Sequence, residues 1–173
     1  MNNPVLLENL RCIPDFPKKG INFRDVTTLY KNPECMKIMV DEMYELYKDK
    51  GITKIVGIES RGFVMAAALA TKLGAGVVLA RKPGKLPATV IKESFSKEYG
   101  VDTVEMHIDS IDENDVVLIH DDLLATGGTA KATLKLVNHF HPKKVYMNFI
   151  IEITDEGLHG RDCLEKDVEV TTL

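Results

Sequence analysis

The chain has 173 residues, 45% of them hydrophobic and 28% charged, with a formal net charge of −4. That length suits a single domain, residues 1–173, with a core of its own, and the acidic balance argues against general affinity for nucleic acid or an acidic membrane. No apolar run reaches the length of a membrane span, and no basic leader precedes an apolar stretch at the start, so neither a membrane anchor nor a signal peptide is expected.

In chain order, residues 33–48 carry apolar residues at helical spacing, with Asn32 as cap and Pro33 in the first position. Residues 52–58 predict a buried strand. The small-residue run after Gly62 predicts a helix that closes near Gly74, and 76–80 a second strand. Residues 82–103 hold prolines, glycines and many polar groups without a sustained period, which predicts either a functional flap or a disordered stretch, and the inner part, 88–94, can make one strand of a small hairpin. Residues 115–120 predict a third strand, Thr129–Phe140 a helix with Ala130, Leu134 and Val137 on one face, 145–153 a fourth strand and 168–173 a short edge strand. Strands that alternate with helices and read as near-continuous apolar runs predict an α/β fold with a mostly parallel central sheet flanked by helices. Ligands bind beyond the carboxyl ends of such strands, which directs attention to 59–62, 81–85 and 121–129.

Cys12, Cys35 and Cys163 are odd in number and far apart, as expected of reduced thiols in a cytosolic protein. The histidines form neither HExxH nor a zinc-like cluster with cysteine, so a protein-built metal site is not expected.

The strongest chemical signal is VVLIHDDLLATGGTA, residues 116–130. Small residues Ala125, Gly127 and Gly128 let backbone N–H groups turn around one anion, and the start of the following helix adds partial positive charge. The hydroxyls of Thr126 and Thr129 add donors, which suits a terminal phosphate. Asp121 and Asp122, just ahead, suit paired ribose hydroxyls as acceptors. A plain capped turn accounts for one aspartate, and poorly for both acids and both threonines around the glycines. The segment is neither a P-loop nor a dinucleotide fingerprint, because GxxxxGK[ST] and GxGxxG are both absent.

This segment closely resembles the phosphoribosyl-pyrophosphate signature of type I phosphoribosyltransferases. The likeness is collinear over most of residues 10–155. IPDFPKKGINFRDVTTL (13–29) is similar to the purine-binding segment of the adenine phosphoribosyltransferases, GIESRGF (57–63) to their pyrophosphate loop, and RKPGKLP (81–87) with SKEYGVDTVEMH (96–107) to their catalytic loop. The resemblance implies a small amino-terminal hood at about 1–32 and a flexible catalytic loop at about 82–103. It implies that Ala125, Thr126, Gly127, Gly128 and Thr129 hold the 5′-phosphate of the donor or of AMP, and that Asp121 and Asp122 face the ribose. Ser60 and Arg61 would meet pyrophosphate beside a non-proline cis peptide, with Arg81 and Lys85 adding positive charge. Asn22, Phe23, Arg24 and Leu123 would enclose adenine.

The resemblance further implies that Glu98 is the catalytic acid/base; spacing alone does not choose between Glu93 and Glu98, and the EYG match does. The implied reaction joins adenine to 5-phosphoribosyl-1-pyrophosphate and releases AMP and pyrophosphate. Mg²⁺ would be held mainly by the substrate, with Asp121 as candidate protein ligand, and a cytoplasmic homodimer is implied. Asn22 stands where a branched apolar residue is usual and His120 where an aliphatic one is usual; His120 receives no role. A 6-oxopurine or orotate enzyme of the same class, and a donor-sensing DNA-binding regulator, are the competing readings. The amino-terminal match, the acidic chain and the absence of a basic module weigh against orotate and the regulator.

Overall fold

The computed structural model describes residues 1–173 apart from 97–99, 155–157, 165 and 167. The chain opens with α1 (Pro4–Asn9), β1 (Arg11–Pro14), β2 (Asn22–Asp25), α2 (Thr27–Tyr30) and α3 (Pro33–Tyr47). It continues through β3 (Lys54–Ile58), α4 (Gly62–Leu73), β4 (Gly76–Ala80), β5 (Val90–Ser96) and β6 (Val101–His107). The last elements are β7 (Val116–Leu124), α5 (Gly128–Asn138), β8 (Lys144–Glu152), a 3₁₀ turn at Gly160–Cys163, and β9 (Glu169–Thr172).

Local chemistry sets the predicted boundaries. The Asn32 side chain accepts from the N–H groups of Glu34 at 2.9 Å and Cys35 at 3.3 Å, with Pro33 opening α3. These bonds satisfy donors that a helix start otherwise leaves orphaned. Cys35, Met39, Met43 and Tyr47 recur every fourth residue as the buried stripe of α3. At the end of α4, Gly74 adopts the left-handed conformation at φ 72°.

The central sheet has the strand order β4-β3-β7-β8-β9, and every neighbouring pair is parallel. Both faces are covered, as the apolar runs required. On one face Val56, Val117, Ile119 and Phe149 pack with Ala130 and Leu134 of α5 and with Val104 and Met106 of β6. On the other, Ile55, Leu118 and Ile150 pack with Met39 and Met43 of α3 and Met65 and Leu69 of α4. The chain moves outward from β3 to β4, then returns to place β7 on the far side of β3. The order reverses there, and a crevice opens beyond the carboxyl ends of β3 and β7.

The expected hairpin forms from β5 and the antiparallel β6. No strand is predicted at β6, of which only Val101–Thr103 fall in the irregular stretch 82–103. Its pattern is disguised because Glu105 points inward, 8% exposed, accepting from the Gly84 N–H at 3.0 Å. The helix expected at Thr129–Phe140 spans Gly128–Asn138, and Ala130, Leu134 and Val137 are all buried as expected.

Before α3 the chain divides its roles. Leu6, Val26 and Leu29 are buried in the core beneath α3 and α4, whereas β1 and β2 form a mostly exposed antiparallel ribbon with Ile13 opposite Phe23. Asp25 fastens the base of this ribbon. It accepts from the Thr27 hydroxyl at 2.6 Å, the Thr27 N–H at 3.0 Å and Arg11 Nη2 at 2.5 Å. The Thr27 hydroxyl, followed by the Arg11 hydrogen bond, holds its carboxyl at about 2.

Candidate active site

The site grows from two strand ends. At the first, β3 passes through a cis Glu59–Ser60 peptide into α4. Gly62 lets the start of α4 lie against β7, because a Cβ there would sit 2.7 Å from the His120 carbonyl oxygen. This close approach brings Arg61 to Asp122, with Nε donating to Oδ2 at 2.5 Å. The Arg61 guanidinium also lies over the Phe23 ring, 5.7 Å from its centroid. A 270 Å³ cavity opens here, lined by Glu59, Ser60, Arg61, Lys82, Asp121 and Asp122.

At the second strand end, β7 runs through Asp121 and Asp122 into the turn that starts α5. A cavity of 100 Å³ is lined by Asp121, Leu123, Leu124 and residues 125–130. Gly127 stands at the helix N-cap with φ 77°. The first N–H groups of a helix lack intrahelical partners, and with the helix dipole they favour an anion. Asp121 lines both cavities. It is the hinge between a mixed-charge lobe, whose cations are Arg61 and Lys82 and whose other acids are Glu59 and Asp122, and an amide-rich lobe at 125–130.

The turn is braced on both sides. A Cβ on Gly127 would lie 2.4 Å from both Cys163 Sγ and the Gly160 carbonyl oxygen, and one on Gly160 would lie 2.3 Å from the Ala125 oxygen. A Cβ on Gly128 would lie 2.9 Å from the Phe95 ring of β5. The 3₁₀ turn and β5 therefore hold the cradle between them. Sequence reasoning missed both supports, because Gly160 and Phe95 lie far from the cradle along the chain and carry no motif that points to it.

Charge is concentrated at the acidic pair. The Asp122 N–H donates to Asp121 Oδ1 at 2.9 Å. Burial, followed by the neighbouring charge of Asp122, raises the Asp121 carboxyl well above its ordinary value. Between the ordinary carboxylate value and the raised one, the folded protein holds more proton at Asp121 than the unfolded chain does. Ionising Asp121 destabilises the fold as pH rises from the ordinary carboxylate value through the raised one, and the penalty persists above it. Asp121→Asn removes that penalty while keeping an oxygen for the Asp122 N–H. Its Tm is expected to exceed wild type by about 2–4 °C or more at neutral pH, the gain fading toward about pH 3, while turnover falls. Melting curves at both pH values check this; an unchanged or lower Tm at neutral pH would contradict it.

The remaining sequence-predicted residues divide. Arg81 turns to Glu59 at 3.3 and 3.4 Å and donates to the Lys85 carbonyl at 3.1 Å. Glu59 also accepts the Lys82 N–H at 2.8 Å, and that bond, followed by Arg81, lowers its carboxyl. Arg81 thus reaches the cavity only through Glu59, Lys85 is exposed outside its lining, and Lys82 lines it. In the ribbon, Asn22 is exposed opposite Pro14. Phe23 meets Phe16 edge-on with ring centroids 5.3 Å apart, and Arg24 donates to Cys12 Sγ at 3.2 Å. Phe23 joins the site through Arg61, and Leu123 through the cradle cavity. Glu98 lies outside the described residues.

His120 is fully buried, with Nδ1 3.0 Å from Asn148 Oδ1, and burial lowers its imidazole to about 4. It is a neutral part of a polar chain that continues from Asn148 to Thr171 and Tyr47.

Known proteins are similar to this chain in sequence and fold. The phosphoribosyl transferase domain family matches residues 25–163. The adenine phosphoribosyltransferase of Phocaeicola vulgatus is 62% identical over 173 residues, covering 100% of this chain and 98% of its own length. The crystal structure of adenine phosphoribosyltransferase from Rhodothermus marinus superposes with a TM-score of 0.90 at 48% identity, covering 97% of this chain and 94% of that one. The Saccharomyces cerevisiae enzyme, complexed with adenine and an imino-altritol bisphosphate, superposes with a TM-score of 0.89 at 37% identity, covering 97% and 96%.

Proposed function

This chain belongs to the adenine phosphoribosyltransferases, and we propose that it transfers the 5-phosphoribosyl group of 5-phosphoribosyl-1-pyrophosphate to adenine, releasing AMP and pyrophosphate and so salvaging a free purine. The observation that carries this reading is the pair of cavities that meet at Asp121, one holding Arg61 and Lys82 beside the carboxylates and one lined by the start of α5. Their chemistry matches a donor with pyrophosphate at one end and a 5′-phosphate at the other.

Residues 125–129 take the 5′-phosphate, and Asp121 and Asp122 take the ribose hydroxyls. Holding both ends of the sugar converts a collision into a positioned reaction. Arg61 leaves Asp122 for pyrophosphate, and Ser60 and Lys82 line the same lobe. Arg81 and Lys85 add positive charge from outside its lining. Phe23 and Leu123 enclose adenine, with Arg24 and the backbone near Asn22 at its edge. Glu98 exchanges a proton with the purine as the glycosidic bond forms or breaks.

The donor set suits a hard cation carried in by the donor, since Asp121 borders both cavities and Asp122 stands beside it in the first. Asp121 would hold Mg²⁺ alongside the donor's own oxygens, and the ion would offset charge on the departing pyrophosphate. Among the described residues no helix is long and apolar enough to cross a membrane, and all three cysteines are free thiols. The free thiols support a cytoplasmic enzyme. Val64 on α4, with Val77 and Leu79 on the edge strand β4, are exposed apolar residues. A homodimer that covers these residues is part of the proposal.

The experiment is pyrophosphate release from the donor and Mg²⁺ with adenine, hypoxanthine, guanine and xanthine in parallel. Release with adenine alone, with AMP formed, is expected. Release only with a 6-oxopurine would overturn the base assignment, and silence with all four would overturn the activity.

A further inference from the structure

Tyr30 enters the site without any motif to announce it. It ends α2, one residue after the fully buried Leu29, so the core anchors its backbone. Its hydroxyl donates to the Arg61 carbonyl oxygen at 3.2 Å. That carbonyl also accepts the Val64 N–H at 3.3 Å in the first turn of α4. Arg61 is the N-cap residue of α4, and its side chain caps nothing there; it extends instead to Asp122 and the Phe23 ring. Fixing the Arg61 backbone therefore fixes the origin of the long side chain that crosses the cavity.

We propose that Tyr30 is a positioning residue for the pyrophosphate side of the site, tying the Arg61 backbone to α2 so that the guanidinium stays aimed between Asp122 and the mixed-charge lobe. The proposal rests on the donor-binding reading above. Burial, then the charges of Asp122 and Asp121, raise the phenol well above its ordinary value. Tyr30 therefore acts as a neutral donor, and its bond persists across the working pH range. Since α2 follows β2 directly, the same bond links the strand that carries Phe23 and Arg24 to the loop that carries Arg61.

Tyr30→Phe removes one oxygen atom and keeps the ring, so the core beneath α2 is preserved. Titrations of Mg²⁺-pyrophosphate and of ribose 5-phosphate into both proteins, with KM for the donor and kcat for AMP formation, form the test. Pyrophosphate affinity is expected to weaken by roughly two- to tenfold, the usual worth of one hydrogen bond. The donor KM should rise with it, and ribose 5-phosphate affinity should hold. Unchanged pyrophosphate affinity would overturn the proposal. So would an equal loss for both ligands, which marks general loosening. The binding arm reads whether or not the enzyme turns over. A wild-type protein that forms no AMP would count against the proposed activity, whereas a variant matching an active wild type would count against Tyr30 alone.

Discussion

Gly127→Ala is expected to lower kcat/KM for the donor by about 100-fold or more, the loss of two charge-assisted hydrogen bonds to a phosphate. Gly127 has φ 77°, a conformation that costs an L side chain roughly 1–2 kcal/mol. The added Cβ would also lie 2.4 Å from the Gly160 carbonyl oxygen and from Cys163 Sγ. A flexible side chain could swing away, but the Gly160 oxygen is backbone, and Gly160 itself lies tight against the Ala125 carbonyl. Relief therefore requires the 3₁₀ turn and the cradle to separate, which disperses the amides that gather on the phosphate. Titration with ribose 5-phosphate reads the cradle directly. Affinity within a few-fold of wild type would show that the turn is not the phosphate site.

Asp122→Asn has the second large effect. Asp122 is 3% exposed and receives Arg61 at 2.5 Å. In the proposed reaction it exchanges that partner for a ribose hydroxyl. An amide keeps the shape but loses the charge, so the donor loses a hydrogen bond to a charged acceptor, worth about 1.5–3 kcal/mol or roughly 10- to 100-fold in kcat/KM. Stability should change far less, because the Arg61 side chain keeps 40% of its surface in solvent and the ion pair is screened. Steady-state kinetics beside a thermal melt separate the two effects. Unchanged donor kinetics would remove Asp122 from the ribose site.

The contrast with Asp121 is informative. The two acids are adjacent in sequence, yet Asp122 has a cation and Asp121 has chiefly Asp122 as its neighbour. Neutralising Asp121 should stabilise the protein while impairing it, which is the signature of a group retained for chemistry at the expense of the fold.

Much of this arrangement could be read in the sequence because its signals are local. The apolar runs of β3, β7 and β8 announce strands buried on both faces, and Asn32-Pro33 and Gly74 mark helix ends through backbone chemistry. The cradle is contiguous in the chain, so Asp121 to Thr129 identify themselves. Other features depend on partners distant in sequence. Glu105 is an inward-facing acid satisfied by the Gly84 N–H across the base of the hairpin, which spoils the alternation of β6. Arg81 pairs with Glu59, so Lys82 is the cation that lines the cavity. Gly160 braces Gly127 from another element, and Tyr30 reaches Arg61 through one hydroxyl. None of these pairs has a spacing rule, because each joins elements that are distant in the chain.

In the proposed reaction the two cavities that meet at Asp121 hold the two ends of one donor. The most direct measurement is calorimetric titration of Mg²⁺-pyrophosphate into protein already saturated with ribose 5-phosphate, followed by displacement with 5-phosphoribosyl-1-pyrophosphate. Pyrophosphate is expected to bind to the loaded protein, and the donor to displace both ligands. Mutual exclusion of pyrophosphate and ribose 5-phosphate, or a donor that leaves either of them bound, would contradict the account.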